Sequence, residues 1–569
     1  MTKRVRRLFL TGMALMLAVC MVLTGCGGSN NTQEKKETAS TETKTTDTST
    51  DNSSKPIEIA AFIGRPGQAP TADNRIYKKI KDKLGATFKF DFLVGDLEQK
   101  IGVMVAGGDY PDLVSGHQKF VSAKTYIPLE DLIEKHAPNL KKHYEKDWNK
   151  IKDPDDGHIY LLPNYGIVKT KQQLTEFMGP AFYIQKAVLK EFGYPKVKTL
   201  DEYFDLIKKY KEKYPTIDGQ PTIGFEILSH EWRDFCLKNA PQHLIGHPND
   251  GNVVVDPKTG KAEIFADKDY AKRYYQKLNE MNAQGLIDRE TFVLTYDQYI
   301  QKLSTGRVLG MFDQRWNFGL AQESLHTQKK FERMYVACPV VFDSSIQEWY
   351  MDRPLPNLMN GWGISTKCKD PVRVLKVLDA LVTEEWQILL QWGEKDIDYT
   401  VDDKGRFHKS KEQKAQYLDN AWRLANMAFD LWDISPKIEV TDVLSDGNAA
   451  NPGNQPEDFY NNLEPYDKEF LGAYGYKTWA DFFAPAPENP VFYPAWQILL
   501  PDGSPAKVQD KKLDDLALKY LPKVILAKPA DFEKAWNEYV GEIRKSDVKS
   551  YEDRINEQIQ WRIKNWSVK

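Results

Sequence analysis

Between Ile57 and Val114 the hydrophobic pattern switches repeatedly between strand and helix spacing. Ile57–Ile63 (IEIAAFI) reads as a short apolar strand, and Asn74–Leu84 carries Ile76, Tyr77, Ile80 and Leu84 at helical spacing. A strand at Thr87–Val94, a helix at Leu97–Ala106 and a short strand about Leu113 and Val114 complete a β-α-β-α-β series. Strands separated by such helices predict a parallel sheet covered on both faces, with ligands beyond the carboxyl ends of the strands. Two loops are thereby singled out. One is Gly64-Arg65-Pro66-Gly67 after the first strand, and the other is Ser115-Gly116-His117 after the third.

What precedes this series is not fold. Lys3, Arg4, Arg6 and Arg7 form a positive start, Leu8–Leu23 is mostly apolar, and Leu23-Thr24-Gly25-Cys26 follows. The apolar run is short for a spanning helix, which needs about 20 residues, so residues 1–25 read as an export signal. The cleavage region resembles the lipobox of bacterial lipoproteins, in which Cys26 becomes the lipidated N-terminus. Removing four basic and no acidic residues takes the formal charge from −3 to −7. Residues 29–54 hold 13 Ser or Thr in 26 positions, so they offer nothing to bury. The stretch 26–55 is expected to be a tether, reaching about 30 Å as a flexible coil.

The 569 residues suit several domains or two large lobes, and the scattered cysteines rule out a small disulfide scaffold. Cys236, Cys338 and Cys368 remain in the mature body and allow at most one internal disulfide. A charge near zero argues against a nucleic-acid binder. No HExxH, GxSxG, P-loop or GxGxxG motif occurs. His243 and His247 are four residues apart, but Pro241 and Pro248 bracket them, so a helical zinc pair is not expected. Asp153-Pro-Asp155-Asp156-Gly157 reads as a tight turn. No cofactor and no metal are expected.

Six short stretches then follow in order: Gly102–Val114 (GVMVAGGDYPDLV), Asp156–Asn164 (DGHIYLLPN), Thr199–Ile207 (TLDEYFDLI), Gly306–Phe312 (GRVLGMF), Gly361–Lys367 (GWGISTK) and Phe532–Val540. Together with the lipobox they resemble the extracellular solute-binding proteins of family 1, the sugar-binding lipoproteins of ABC importers. The resemblance implies an α/β, two-lobed periplasmic-binding-protein-like fold of type II with a multi-segment hinge. Lobe 1 is expected at 56–163 and about 358–400, and lobe 2 at 164–357 and about 401–569. It also implies a monomer on the outer face of the cell membrane, held by its lipid anchor. That protein captures an oligosaccharide by hinge closure, passes it to the permease subunits and is not an enzyme. Some relatives carry a calcium loop after the helix matching Glu202–Tyr210; here it has shrunk to Pro215–Gln220 with one acidic residue, too few ligands for calcium.

A sugar presents C–H faces and a rim of hydroxyls, so its site needs flat aromatics and planar polar groups. Trp316 follows the Gly310-Met311-Phe312 strand, where family members commonly place a stacking aromatic. Trp232 lies beside His230 and Glu231, and Trp362 stands between two glycines at an expected lobe crossing. Arg65, Ser115, His117, Tyr165 and Arg315 are added from strand-end position. Glu231 either accepts sugar hydroxyls or pairs with Arg233 at the surface. Trp386, Trp392, Trp422, Trp432, Trp536, Trp561 and Trp566 fall in helical apolar patterns and are read as packing residues. The rival reading is an exported carbohydrate hydrolase, whose two carboxylates a sequence cannot pair. An adhesion scaffold would show repeats, and none is found.

Overall fold

The computed structural model describes residues 55–170 and 172–567. The expected signal at 1–25, Cys26 and the tether up to residue 54 lie outside the described residues. The opening series folds as read: strand β1 (Ile57–Ile63), helix α1 (Arg75–Leu84), strand β2 (Ala86–Phe92), helix α2 (Leu97–Gly107) and strand β3 (Leu113–Ser115). Asn74 starts α1 because its side chain accepts from the Ile76 and Tyr77 amides, and Gly85, at φ 61°, ends it in the left-handed conformation. β1 pairs in parallel with β2 and with β3.

The second sheet comprises β4 (Pro180–Gln185), β5 (Ile223–Glu226), β6 (Val308–Gln314) and β7 (Tyr335–Cys338), in the order β7-β4-β6-β5. β5 runs parallel to β6, whereas β4 is antiparallel to both β6 and β7. The chain then returns to the first sheet as β8 (Trp362–Ile364), antiparallel to β3, which gives the order β8-β3-β1-β2. Helix α3 (Leu200–Lys213) covers the second sheet and begins with a capping box between Thr199 and Glu202. Three C-terminal helices, α4 (Pro505–Leu526), α5 (Phe532–Arg544) and α6 (Val548–Trp566), pack into the core of this second lobe.

Two large apolar cores result, and one expected lobe boundary is corrected. Ala428, Leu431, Trp432 and Ile434, expected in lobe 2, pack into the core built on the first sheet. Asn74 donates to the carbonyls of Leu424 and Met427, and Arg75 reaches Asn426, Glu394 and Asp398. Apolar periodicity tells which face of a helix is buried but not which of two cores receives it.

Three stretches cross between the cores, near residues 163–175, 351–361 and 435–456, and they are laced together. Asp442 accepts from the Lys169 and Thr170 amides and from the Thr170 hydroxyl. The Gly166 amide donates to Glu439 at 2.8 Å. Gly166 has φ 83°, and a Cβ there would lie 1.9 Å from the Leu355 carbonyl oxygen. All three crossings therefore meet at this glycine.

The calcium position holds a tight hairpin, Thr216–Ile217 against Gln220–Pro221, turning at Asp218 (φ 51°) and Gly219 (φ 75°). The Asp218 carboxylate pairs with Lys330 at 2.8 Å. At His243 the structure departs from the expectation of a non-helical segment: Ala240–Leu244 is a short helix with Pro241 in its first turn, where proline is tolerated. His243 is buried and stacks on Tyr350 at 5.0 Å. Residues 153–157 form a turn, and Cys236, Cys338 and Cys368 are free thiols.

Buried ionisable groups set the pH response. Burial, with the Asp288 charge adding to it, pushes Glu226 up to about 8, and burial raises Asp352 to about 7. Both therefore hold protons in the folded chain at pH values where the unfolded chain has lost them. The folded state binds more protons across that window, so stability falls as pH rises towards about 8. Burial pushes His243 down to about 3, which costs stability only below the ordinary histidine range, near 6.5. Between pH 6.5 and 8 the carboxyl effect acts without it. The urea midpoint is expected to fall across this interval, and Glu226→Gln to flatten the fall; a rising midpoint would contradict the assignment.

Candidate functional site

The strand-end rule locates a cavity. Arg65, Ser115, His117 and Tyr165 line a hollow of about 420 Å³ beyond the carboxyl ends of β1 and β3. The Ser115 hydroxyl accepts from the Gly64 amide and donates to the Phe62 carbonyl, both at 2.9 Å, which fixes the two strand ends together. Arg65 reaches Asp430 at 2.9 Å and Asp433 at 3.0 Å, in the segment expected in the other lobe. The Tyr165 ring is exposed, while burial of its hydroxyl beside Glu439 and Asp352 raises its pKa.

His117 caps the helix Gln118–Ser122 by accepting from the Lys119 amide at 3.2 Å, and its Nε2 faces Glu98 at 3.1 Å. It also lines a second hollow, of about 480 Å³, so the two cavities share a wall. This second cavity lies between the lobes. Glu98 and His117–Lys119 come from the first, while Asp234, Phe235, Lys238, Asn252, Trp496 and the start of α4 come from the second.

Beside this inter-lobe cavity stand the two tryptophans expected at the site. Trp232 and Trp316 are 59% and 46% exposed, and their rings lie parallel, 5.9 Å apart with planes at 8°. Phe235, in the cavity wall, contacts Trp316 at 5.8 Å and Trp232 at 6.1 Å. Trp316 is positioned by its indole N–H, which donates to the Gln314 side chain at 2.8 Å. The next residue, Asn317, donates to buried Asp313 at 2.9 Å. Arg233 lies between Trp232 and Tyr296, with its guanidinium 4.4 Å and 3.9 Å from the ring centres. Glu231 lies 3.6 Å from Arg233 and adopts φ 54°, a left-handed conformation unusual for a non-glycine residue. That geometry favours the surface-pair alternative for its carboxylate.

Two expected site residues lie elsewhere. Trp362 is fully buried in the first core, and its indole N–H donates to Ser435 at 3.3 Å. Arg315 lines a separate cavity of about 580 Å³ with Lys186, Asp467 and Trp479. Sequence reasoning missed Trp496, which is 46% exposed, in the inter-lobe wall. It follows Tyr493-Pro494-Ala495, and an aromatic in a proline-rich loop with no helical partner was the available signal. Asn252, which donates to Asp510 and Asp514, was also missed. Among the described residues, no group of three or more His, Cys, Asp or Glu side chains is placed to hold a metal.

Two α/β lobes, three crossing stretches and a polar inter-lobe cavity flanked by exposed aromatics define a type II solute-binding fold. Residues 76–393 match the bacterial extracellular solute-binding proteins, and the chain belongs to that family. Family membership assigns solute binding. The chain is similar to the fructooligosaccharide ABC transporter substrate-binding protein FusA of Streptococcus pneumoniae serotype 4, at 26% identity over 237 residues. That match spans 40% of this chain and 44% of the relative, less than half its length. Lipoprotein LipO of Bacillus subtilis is 23% identical over 424 residues, 69% of this chain and 74% of the relative. The solved structure of S. pneumoniae FusA in complex with kestose shares the fold, with a TM-score of 0.62 and 18% identity over 89% of this chain and 99% of that one.

Proposed function

We propose that this protein is the lipid-anchored substrate-capturing component of an ABC importer for oligosaccharides. It takes the sugar into the cleft between its lobes and presents it to the permease. The observation that carries the reading is the exposed, parallel Trp232–Trp316 pair beside an inter-lobe cavity dense in carboxylates and amides. Aromatic faces suit the C–H faces of sugar rings, and planar polar groups suit their hydroxyls. A ligand touching both lobes would favour the closed state by its extra affinity for it, and hinge closure of this kind is how periplasmic binding proteins grip their ligands. FusA, named for fructooligosaccharides, supports the choice of ligand class.

Trp232, Trp316, Phe235 and Trp496 would supply stacking surfaces, and Asn252, His117, Ser115 and Tyr165 polar contacts. The proposed body binds as a monomer, and Cys26 carries the lipid. The lipobox-like Leu23-Thr24-Gly25-Cys26 and the similarity to LipO support that anchor. Titration of protein beginning after Cys26 against oligosaccharides, read by tryptophan fluorescence, is expected to saturate without releasing reducing ends. Release of reducing ends that persists through further purification would instead support the hydrolase. In cells, Cys26→Ala is expected to abolish incorporation of labelled palmitate and to shift the protein out of the lipid-anchored membrane fraction; unchanged labelling would contradict the anchor.

A further inference from the structure

We propose that the cleft selects neutral oligosaccharides and rejects acidic ones. The inference rests on the oligosaccharide reading and deepens it. An acidic sugar entering the cleft loses the water around its carboxylate and needs a cation to replace it. The lining supplies none that is spare. Lys119 is held by Glu98 at 2.5 Å, and Lys507 by Asp510 at 3.2 Å. Lys238 is nearly buried between Asp234, at 2.8 Å, and Asp514. In the adjoining cavity Arg65 is shared by Asp430 and Asp433, and Lys437 faces Asp433 at 3.4 Å.

Among the described residues these five are all the Lys and Arg side chains lining the two cavities, against six carboxylates, so the wall carries a slight negative excess. Asp502, in the wall of the inter-lobe cavity, adds its negative charge to that of Glu98 around Lys119. At the aromatic rim Arg233 is likewise engaged, donating to Asn317 at 3.1 Å with Glu231 at 3.6 Å. Drawing Lys238 towards a ligand would strand buried Asp234 and leave half-buried Asp514 without its cation, a costly exchange. Hydroxyl groups meet the opposite situation. The wall carboxylates of Glu98, Asp502, Asp510 and Asp514 are acceptors for hydroxyl groups, and behind the two cavities the buried amide oxygens of Gln118 and Asn164 have no protein donor. Acceptor-rich walls receive O–H donors and repel carboxylates, so the wall both attracts the neutral ligand and excludes the acidic one.

The test uses matched ligands: neutral oligosaccharides of several linkages, acidic oligogalacturonates, and the same oligogalacturonates after reduction of their carboxyl groups. Each is titrated calorimetrically into the soluble protein at low and at physiological salt. At least one neutral ligand is expected to saturate, with an affinity independent of salt, and every acidic ligand to bind about a hundredfold more weakly than that ligand. Acidic binding as tight as neutral binding would overturn the selectivity while leaving the oligosaccharide reading in place. No saturation by any ligand would contradict the oligosaccharide reading, and the selectivity would fall with it. Asp502→Lys exchanges a wall carboxylate for a cation and leaves the Glu98–Lys119 pair in place. It is expected to narrow the gap between neutral and acidic ligands about tenfold. An unchanged gap in a variant of unchanged melting temperature would overturn the charge argument.

Discussion

Replacing Trp316 by alanine is expected to weaken oligosaccharide binding by about ten- to a hundredfold, roughly 1.4–2.8 kcal/mol. The side chain offers a half-exposed ring, held in place by Gln314 and parallel to Trp232. Truncation would remove one stacking surface and leave its neighbour without a partner. Trp316→Phe is expected to keep part of the affinity, since a smaller ring remains. Because the ring is outside the core, thermal stability should change little. The measurement is calorimetric affinity for the best neutral ligand; unchanged affinity in the alanine variant would remove Trp316 from the site.

The second large effect concerns the hinge. Gly166→Ala is expected to destabilise the protein by about 3 kcal/mol. The residue sits at φ 83°, and the added Cβ would meet the Leu355 carbonyl oxygen at 1.9 Å. Its amide also anchors the third crossing through Glu439. Relief would require the crossings to move apart, so both denaturation midpoint and ligand affinity should drop. Gly102→Ala is the control. That residue is exposed within helix α2 with nothing near its would-be Cβ, so alanine should stabilise by about 1 kcal/mol. Equal behaviour of the two variants in urea titration would show that the crossings do not depend on Gly166.

The sequence carried the first sheet and one wall of the site clearly, because both follow from local pattern. The period changes between Ile57 and Val114 marked each strand, and strand ends led to Arg65, Ser115, His117 and Tyr165, which share one cavity. Trp362 misled for a physical reason. It stands between two glycines at what reads as a lobe crossing, yet a Cβ at Gly363 would strike the Tyr126 ring at 2.1 Å. Those glycines mark close packing of a buried strand. Arg315 and Trp316 are adjacent as the chain leaves β6, but their side chains serve different cavities, and strand-end position alone does not choose between them. The packing of residues 424–434 with the first core depends on contacts more than 300 residues apart, such as Arg65 with Asp430, which no local pattern encodes.

The most direct measurement is calorimetric titration of the soluble protein with neutral oligosaccharides, with small-angle scattering recorded on free and saturated samples. Saturable one-to-one binding accompanied by a smaller radius of gyration is the expected result, as the lobes close on the sugar. Absence of binding across the panel, or binding with cleavage of the ligand, would contradict the assignment of this chain as an oligosaccharide-capturing protein.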